Sequence, residues 1–366
     1  MDLRDITQQV RSGGRIDREQ ALIMLQRMHL LDLGELAGEI RYARIPDRRV
    51  TFVVDTNPNY TNICNVDCIF CAFYRHKGDE GEYTWSVDHM IRSFRESADK
   101  GVTTILLQGG VNPELSFEYY LDLVKRTVAE VPQVMPHFFS TSEIIGMSEV
   151  SGLTIPAVLQ KLWDAGQRTI PGGGAEILSD RVKKKISSKK GTSADWLNVM
   201  REAHRIGFKS TATMMYGHLE TDEDIIEHLD VVRSLQDEHH GFTAFVPWSF
   251  KPGNTPLEKI IPHYATATRY YQILALSRIY LDNFDHIQAS WFSEGKKAGQ
   301  IALNFGADDF GGTLLEENVH AAAKFVNKTN TEECIGLIHG AGFDAAQRTT
   351  LYEVLKTYPQ PEAVPA

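Results

Sequence analysis

Three of the chain's four cysteines, Cys64, Cys68 and Cys71, stand at C-x3-C-x2-C spacing in the run N-I-C-N-V-D-C-I-F-C-A-F-Y-R at 62–75. Thiolates this close can bind a soft metal centre, yet a closed tetrahedral zinc site lacks its fourth ligand. No Cys or His follows at finger-like distance, and His76 is too near in sequence to serve comfortably. An iron–sulfur cluster ordinarily takes four cysteines. A cubane held by three leaves one iron open, and an open metal position is where chemistry happens. A zinc site and three unrelated buried cysteines are the competing readings. Cys334, far off in the tail, reads as a small hydrophobe.

Further groups with chemical potential fall at regular intervals. They are Gln108-Gly109-Gly110, then Ser140, Thr141 and Glu143, then Pro171-Gly172-Gly173-Gly174-Ala175-Glu176, then Tyr216-Gly217-His218-Leu219-Glu220, and Pro247-Trp248-Ser249. Gly109 and Gly110 take away two side chains where a ligand can approach the backbone. The triple glycine also permits close approach, with Glu176 able to accept from ribose hydroxyls; a phosphate cradle competes, but no Walker-type Lys-Ser/Thr follows.

The elements that must position these groups are short apolar runs alternating with amphipathic stretches, the pattern of repeated βα units. Strands are expected at 50–55, 102–108, 134–139, 168–171, 209–215, 242–247, 286–290 and, weakly, 307–310. Helices are expected at 86–100, 116–130, 154–165, 193–206, 222–238, 264–281 and 295–304. This is an α/β fold, a complete or nearly complete (β/α)8 TIM-type barrel at 46–330. A helical cap at 1–45 precedes it, with an Asp17/Gln20 capping box and a Leu22/Leu25/Met28 face followed by Leu33, Leu36, Ala37 and Ile40. A C-terminal extension at 331–366, a helix, a T-L-Y-E-V-L stretch and a Pro-rich end expected to fray, packs on the barrel. Each motif follows a strand, at the barrel end where such folds carry their active sites.

Composition narrows the field. With 42% hydrophobic and 23% charged residues this is an ordinary globular chain. A net charge of −10 argues against nucleic acid or an anionic membrane as partner. Cysteine usage suits a reducing compartment, and neither a signal-peptide core nor an apolar run of transmembrane length is present, so the cytoplasm is expected. Arg181, Lys183–Lys185 and Lys189-Lys190 read as a solvated basic face, Asp237-Glu238-His239-His240 as solvated capping, and His204 as a satisfied, partly buried histidine.

Taken together, the cysteine spacing and the glycine motifs resemble the radical S-adenosylmethionine superfamily. The segments C-A-F-Y-R at 71–75, L-Q-G-G-V-N-P at 107–113, 171–178, A-T-M-M-Y-G-H at 212–218 and D-F-G-G-T at 309–313 resemble its menaquinone-pathway branch, which also holds aminofutalosine synthases and deazaflavin-forming enzymes. G-F-T-A-F-V-P-W at 241–248, L-D-N at 281–283, Q-A-S-W at 288–291 and T-L-L-E-E-N at 313–318 bring the resemblance closest to the dehypoxanthine futalosine cyclases.

The resemblance implies a [4Fe–4S] cluster on Cys64, Cys68 and Cys71 and S-adenosylmethionine on its open iron. It places the cofactor against Phe70, Gln108, Gly109, Gly110, Ser140, Glu176, Gly217 and Glu220, with Glu220 buttressing its loop. The implied reaction abstracts the ribose C4′ hydrogen of dehypoxanthine futalosine, adds the carbon radical to the benzoate ring and rearomatises it. That chemistry needs a carboxylate clamp, for which Arg75 and Arg278 are candidates, and ribose ligands, for which Asp308, Asp309 and Glu316 are candidates. It also needs a proton acceptor, for which Tyr74, His137 and His218 are candidates. A one-electron donor such as flavodoxin or ferredoxin is the implied partner. An aminofutalosine synthase is the alternative enzyme; a cluster that reports redox state without turnover would have no need of the glycine motifs.

Overall fold

The computed structural model describes residues 2–361; the end of the Pro-rich tail lies outside them. The strands are β1 (Arg49–Val53), β2 (Asp55–Thr56), β3 (Thr104–Leu107), β4 (Met135–Phe138), β5 (Thr169–Ile170), β6 (Lys209–Tyr216), β7 (Phe242–Ser249), β8 (His286–Ile287), β9 (Asp309–Gly312), β10 (Asp344–Arg348) and β11 (Val354–Tyr358). A seven-stranded parallel sheet curls from β2 to β8 in sequence order. β1 runs on into β2 and pairs with β9 through Thr51↔Asp309 and Val53↔Gly312. A parallel bridge between Gln288 and Asp309 joins β9 to the end of β8. The eight expected strands thus follow one another around a barrel whose last seam, like that between β4 and β5, rests on a single residue pair.

The longest strands, β6 and β7, are rich in Thr, Phe, Val and aromatic residues, side chains that suit a pleated surface buried on both faces. β5 and β8 shrink to two residues each, because the chain leaves the wall early to form the glycine turn and the Ser290 corner. Four helices lie outside the expected set: Thr141–Ser151, Asp180–Ile186 and the single turns Trp291–Glu294 and Val319–Ala322.

The N-terminal helices Leu3–Arg11, Arg18–Arg27 and Leu30–Arg44 form as expected, with the Asp17/Gln20 capping box in place at 2.8 and 2.9 Å. The second helix buries Ala21, Met24 and Leu25 rather than the expected Leu22/Leu25/Met28 face. The third buries Leu33, Leu36 and Ala37 and lies against the helix Ala267–Tyr280.

The C-terminal extension does more than pack on the outside. β10 lies parallel to β1, from Arg49↔Asp344 to Phe52↔Gln347, and β11 pairs antiparallel with β10. Beyond it, Thr350 Oγ1 meets Thr104 Oγ1 of β3 at 2.7 Å, so the chain end reaches the floor of the barrel.

Candidate active site

The cysteine loop is built by its own backbone. Cys64 N–H donates to Arg75 O (3.0 Å), Arg75 N–H donates to Asn62 O (2.8 Å), and Cys71 N–H donates to Cys68 O (3.1 Å). Arg75 turns its guanidinium inward onto this loop, Nη1 donating to the carbonyls of Tyr74 (2.8 Å) and Ala72 (3.2 Å). It therefore braces the loop and does not reach the lumen as a carboxylate clamp. Ile69 ties the loop to two neighbours, donating to Ile186 O (3.0 Å) and accepting from Leu257 N–H (2.9 Å). Gly110 explains itself here, because a Cβ on it would stand 2.1 Å from Ile63 O and 3.0 Å from Cys64 Cβ. A Cβ on Gly109 would meet the Tyr60 ring at 2.6 Å.

Does this loop fit a cluster? Among the described residues, no three His, Cys, Asp or Glu converge on a single point. Yet Cys64, Cys68 and Cys71 are near enough to feel one another's charge, and burial pushes the Cys68 thiol up to about 12 against the pull of Lys190. Three soft donors spread around one loop suit a polynuclear cluster, in which each thiolate takes a different iron. Cys334 is buried in the helix Thr331–Gly340 with its Sγ beside Thr329 Oγ1, apart from this group.

Around the loop, a second layer of groups is fixed by buried carboxylates. Glu143 accepts from Gly109 N–H (3.0 Å), Tyr60 O–H (2.6 Å) and Ser140 Oγ (2.6 Å), and burial raises its pKa. Ser140 is thereby the N-cap of the helix Thr141–Ser151 and has its hydroxyl engaged. Glu220 accepts from the N–H groups of Gly217 (2.6 Å) and His218 (2.8 Å), the buttress expected of it. Gly217 sits at φ +81°, where a side chain is strained.

Glu176 adopts φ +45°, a left-handed conformation that a non-glycine residue holds only when its surroundings insist. Burial alone would raise its pKa, but Lys190 and Lys183 hold it low. Lys190 bonds the carboxylate and lies 5.3 Å from the centre of the Phe70 ring. Lys183 donates to Gly174 O (2.9 Å), and burial lowers its pKa to about 8. The basic run is thus not simply a solvated face: Lys184, Lys185 and Lys189 are exposed, while Lys183 and Lys190 point inward.

Below this rim lies the lumen, a cavity of about 240 Å³. Gln108, His137 and Glu176 line it, as do Asp55, Arg348 and Tyr352, which the sequence reading passed over. His137 is buried with Nδ1 unpartnered, and burial with the nearby Arg348 lowers its pKa to about 3. The other expected substrate residues face elsewhere. His218 has both ring nitrogens engaged, Nε2 with Met215 O (3.0 Å) and Nδ1 with Leu219 N–H (2.7 Å). Tyr74 stacks edge-on against His76 on the half-exposed loop. Arg278 is fully buried behind the wall, donating to Gly306 O (2.7 Å) and paired with Asp308. Asp309 is engaged by Arg348, by Thr51 Oγ1 (2.6 Å) and by Gly311 N–H (2.9 Å), and Glu316 is exposed beside Asn318.

A parallel barrel with a three-cysteine loop after its first strand and glycine motifs after the next defines a class, and comparison with known proteins agrees. Residues 58–232 match the model of the Radical SAM superfamily, and 239–361 match the CofH/MqnC C-terminal region. The crystal structure of methylornithine synthase superposes with a TM-score of 0.73 at 16% identity, covering 92% of this chain and 96% of that one, a likeness of fold alone. The chain is 38% identical to the cyclic dehypoxanthine futalosine synthase of Halalkalibacterium halodurans, covering 99% of this chain and 98% of the relative. It is 36% identical to the aminodeoxyfutalosine synthase of Thermus thermophilus (98% and 97% covered). It is 40% identical to a 5-amino-6-(D-ribitylamino)uracil–L-tyrosine 4-hydroxyphenyl transferase of Methanosarcina barkeri (93% and 91% covered). The chain belongs to the radical S-adenosylmethionine superfamily, and within it to the family these three relatives share.

Proposed function

We propose that the chain cyclises dehypoxanthine futalosine to cyclic dehypoxanthine futalosine, a step of menaquinone biosynthesis. The observation that carries this reading is the end-to-end kinship at 38% identity with a cyclic dehypoxanthine futalosine synthase, spanning cap, barrel and C-terminal extension alike. Cys64, Cys68 and Cys71 would hold the cluster, and Gly109, Gly110, Phe70, Glu176 and the Gly217–Glu220 turn would receive S-adenosylmethionine. When bound, that pair supplies a 5′-deoxyadenosyl radical able to take hydrogen from an unactivated carbon.

The chain's own part is positional. The lumen below the rim would hold the substrate within reach of the cysteine loop, and its walls would keep competing hydrogen donors away from a carbon radical. An electron donor of the flavodoxin or ferredoxin kind completes the system. No helix of the described residues is long and apolar enough to cross a membrane.

Substrate carrying deuterium at ribose C4′ tests the reading under anaerobic conditions. A cyclase returns 5′-deoxyadenosine one mass unit heavier together with the cyclic product. An adduct that keeps the adenosyl group, formed instead from a carboxyvinyloxy-benzoate, overturns it in favour of the aminofutalosine synthase, to which the chain is 36% identical.

A further inference from the structure

Three carboxylates line the lumen, and they differ in what holds them. Glu176 is paired with Lys190. Glu317 accepts from the N–H groups of Val319 (2.9 Å), His320 (3.0 Å) and Ala321 (3.3 Å), the start of a helical turn. Asp55 makes no ion pair with any of the described residues, Arg348 acting on it only from a distance. Its Oδ1 accepts from Leu314 N–H at 2.8 Å, and no donor among the described residues reaches Oδ2.

The position is built around that side chain. Asp55 opens β2, its backbone N–H donating to Thr313 Oγ1 (3.2 Å) and its carbonyl accepting from Leu315 N–H (3.0 Å), so the segment that follows β9 fixes it. A Cβ on Gly312 would stand 2.1 Å from both carboxylate oxygens, so only glycine leaves room for them there. The residue is 6% exposed and that exposure opens into the cavity. An acid buried without an ion-pair partner costs stability, and such a group facing a cavity is a candidate for function.

We propose that Asp55 accepts the proton released when the substrate ring regains aromaticity, an inference that rests on the cyclase reading. After C4′ has bonded to the ring, the C–H bond at that ring carbon breaks and its proton passes to Asp55 Oδ2. The bonding pair stays in the ring and restores aromaticity, and the surplus electron leaves to a one-electron acceptor of the iron–sulfur class. His137 is the rival acceptor across the cavity. Its pKa of about 3 makes it a weak base, whereas burial places Asp55 at about 6, with Arg348 of β10 lowering it and Asp309 of β9 raising it. A base near the working pH serves this step best.

The experiment compares wild type with Asp55→Asn, which keeps the acceptor for Leu314 N–H. The C4′-deuterated substrate is used, and the ratio of cyclic product to labelled 5′-deoxyadenosine is read. The expected result is label transfer within about twofold of wild type and a ratio at least tenfold lower, in keeping with the usual weight of general-base catalysis, about 10²–10⁴. Calorimetry on the cluster-loaded protein, without reductant, should give substrate affinity within about twofold of wild type. In wild type, the same ratio should fall as the pH drops through about 6. An unchanged ratio in Asp55→Asn, a wild-type ratio flat from pH 8 to 5, or loss of substrate binding with the ratio preserved each overturns the assignment. A tenfold loss of ratio in His137→Gln alone transfers the role to that residue. If wild type forms labelled 5′-deoxyadenosine but no cyclic product, the cyclase reading itself falls, and Asp55 with it.

Discussion

Arg348, at the end of β10, forks onto Asp309, on the strand that closes the barrel, with Nη2 to Oδ1 at 2.9 Å. Both residues are buried, and Tyr352 lies under the guanidinium at 3.8 Å while stacking on His286 of β8. The C-terminal extension therefore locks the seam where β8 and β9 share a single bridge. Removing one partner of a buried ion pair leaves the other charge uncompensated, at a cost of about 3–5 kcal/mol. Arg348→Met should lower stability by that amount in urea unfolding, and Asp309→Asn in the same background should recover part of it. Additive losses in the double variant would show that the pair does not act as a unit.

Cluster content separates the cysteines. Cys64→Ala, Cys68→Ala and Cys71→Ala should each reconstitute with little iron, because two thiolates hold a cubane poorly. Cys334→Ala should reconstitute fully, since its thiol is confined to the helix Thr331–Gly340 beside Thr329. Iron and sulfide analysis with visible absorption reads the outcome; iron loss in the Cys334 variant would mean the ligands are misassigned.

The glycine pair after β3 divides by neighbour. Gly110→Ala drives a methyl into Ile63 O and Cys64 Cβ, so it should disturb the cysteine loop and reduce cluster content severalfold. Gly109→Ala meets a ring face of Tyr60, whose hydroxyl is held by Glu143, so it should retain the cluster while weakening S-adenosylmethionine binding. Equal iron loading in the two variants would remove the distinction.

Much of this architecture was legible in the chain because strands buried on both faces announce themselves as continuous apolar runs, and the motifs punctuate them. Gly109-Gly110 does follow β3, and Glu220 does buttress the turn after β6, the positions that strand order and family resemblance gave them. The failures share a cause: the partner of a charged residue is set by tertiary packing that the sequence does not display. Lys190 was assigned to a surface run and is held inward by Glu176, contributed from the preceding turn. Arg278 and Asp308 read as substrate ligands and instead neutralise each other behind the wall. Arg348 carried no signal, since β10 pairs with β1 some three hundred residues earlier, Arg49 with Asp344. Asp55 ended an apolar run and offered no motif; only the glycine opposite, Gly312, hinted that a side chain needed space.

That same carboxyl leaves a mark on stability, measurable without cofactor or substrate. Burial raises its pKa from 3.8 in the unfolded chain to about 6 in the fold, with Arg348 opposing and Asp309 adding to the shift. A carboxyl whose folded pKa is raised contributes its full relative stability below the unfolded value, and loses it as the pH climbs through the folded one. The charged form is therefore a liability above pH 6, on the order of 3 kcal/mol at about 1.4 kcal/mol per unit. Asp55→Asn removes that liability while keeping the bond from Leu314 N–H. Its stability gain over wild type should be near zero around pH 4, grow through pH 5–6 and level off above pH 7. Chemical unfolding of both proteins at those pH values gives the difference curve. A difference that stays constant with pH, or a variant less stable than wild type at pH 8, would show that Asp55 stays comfortably ionised in the folded barrel.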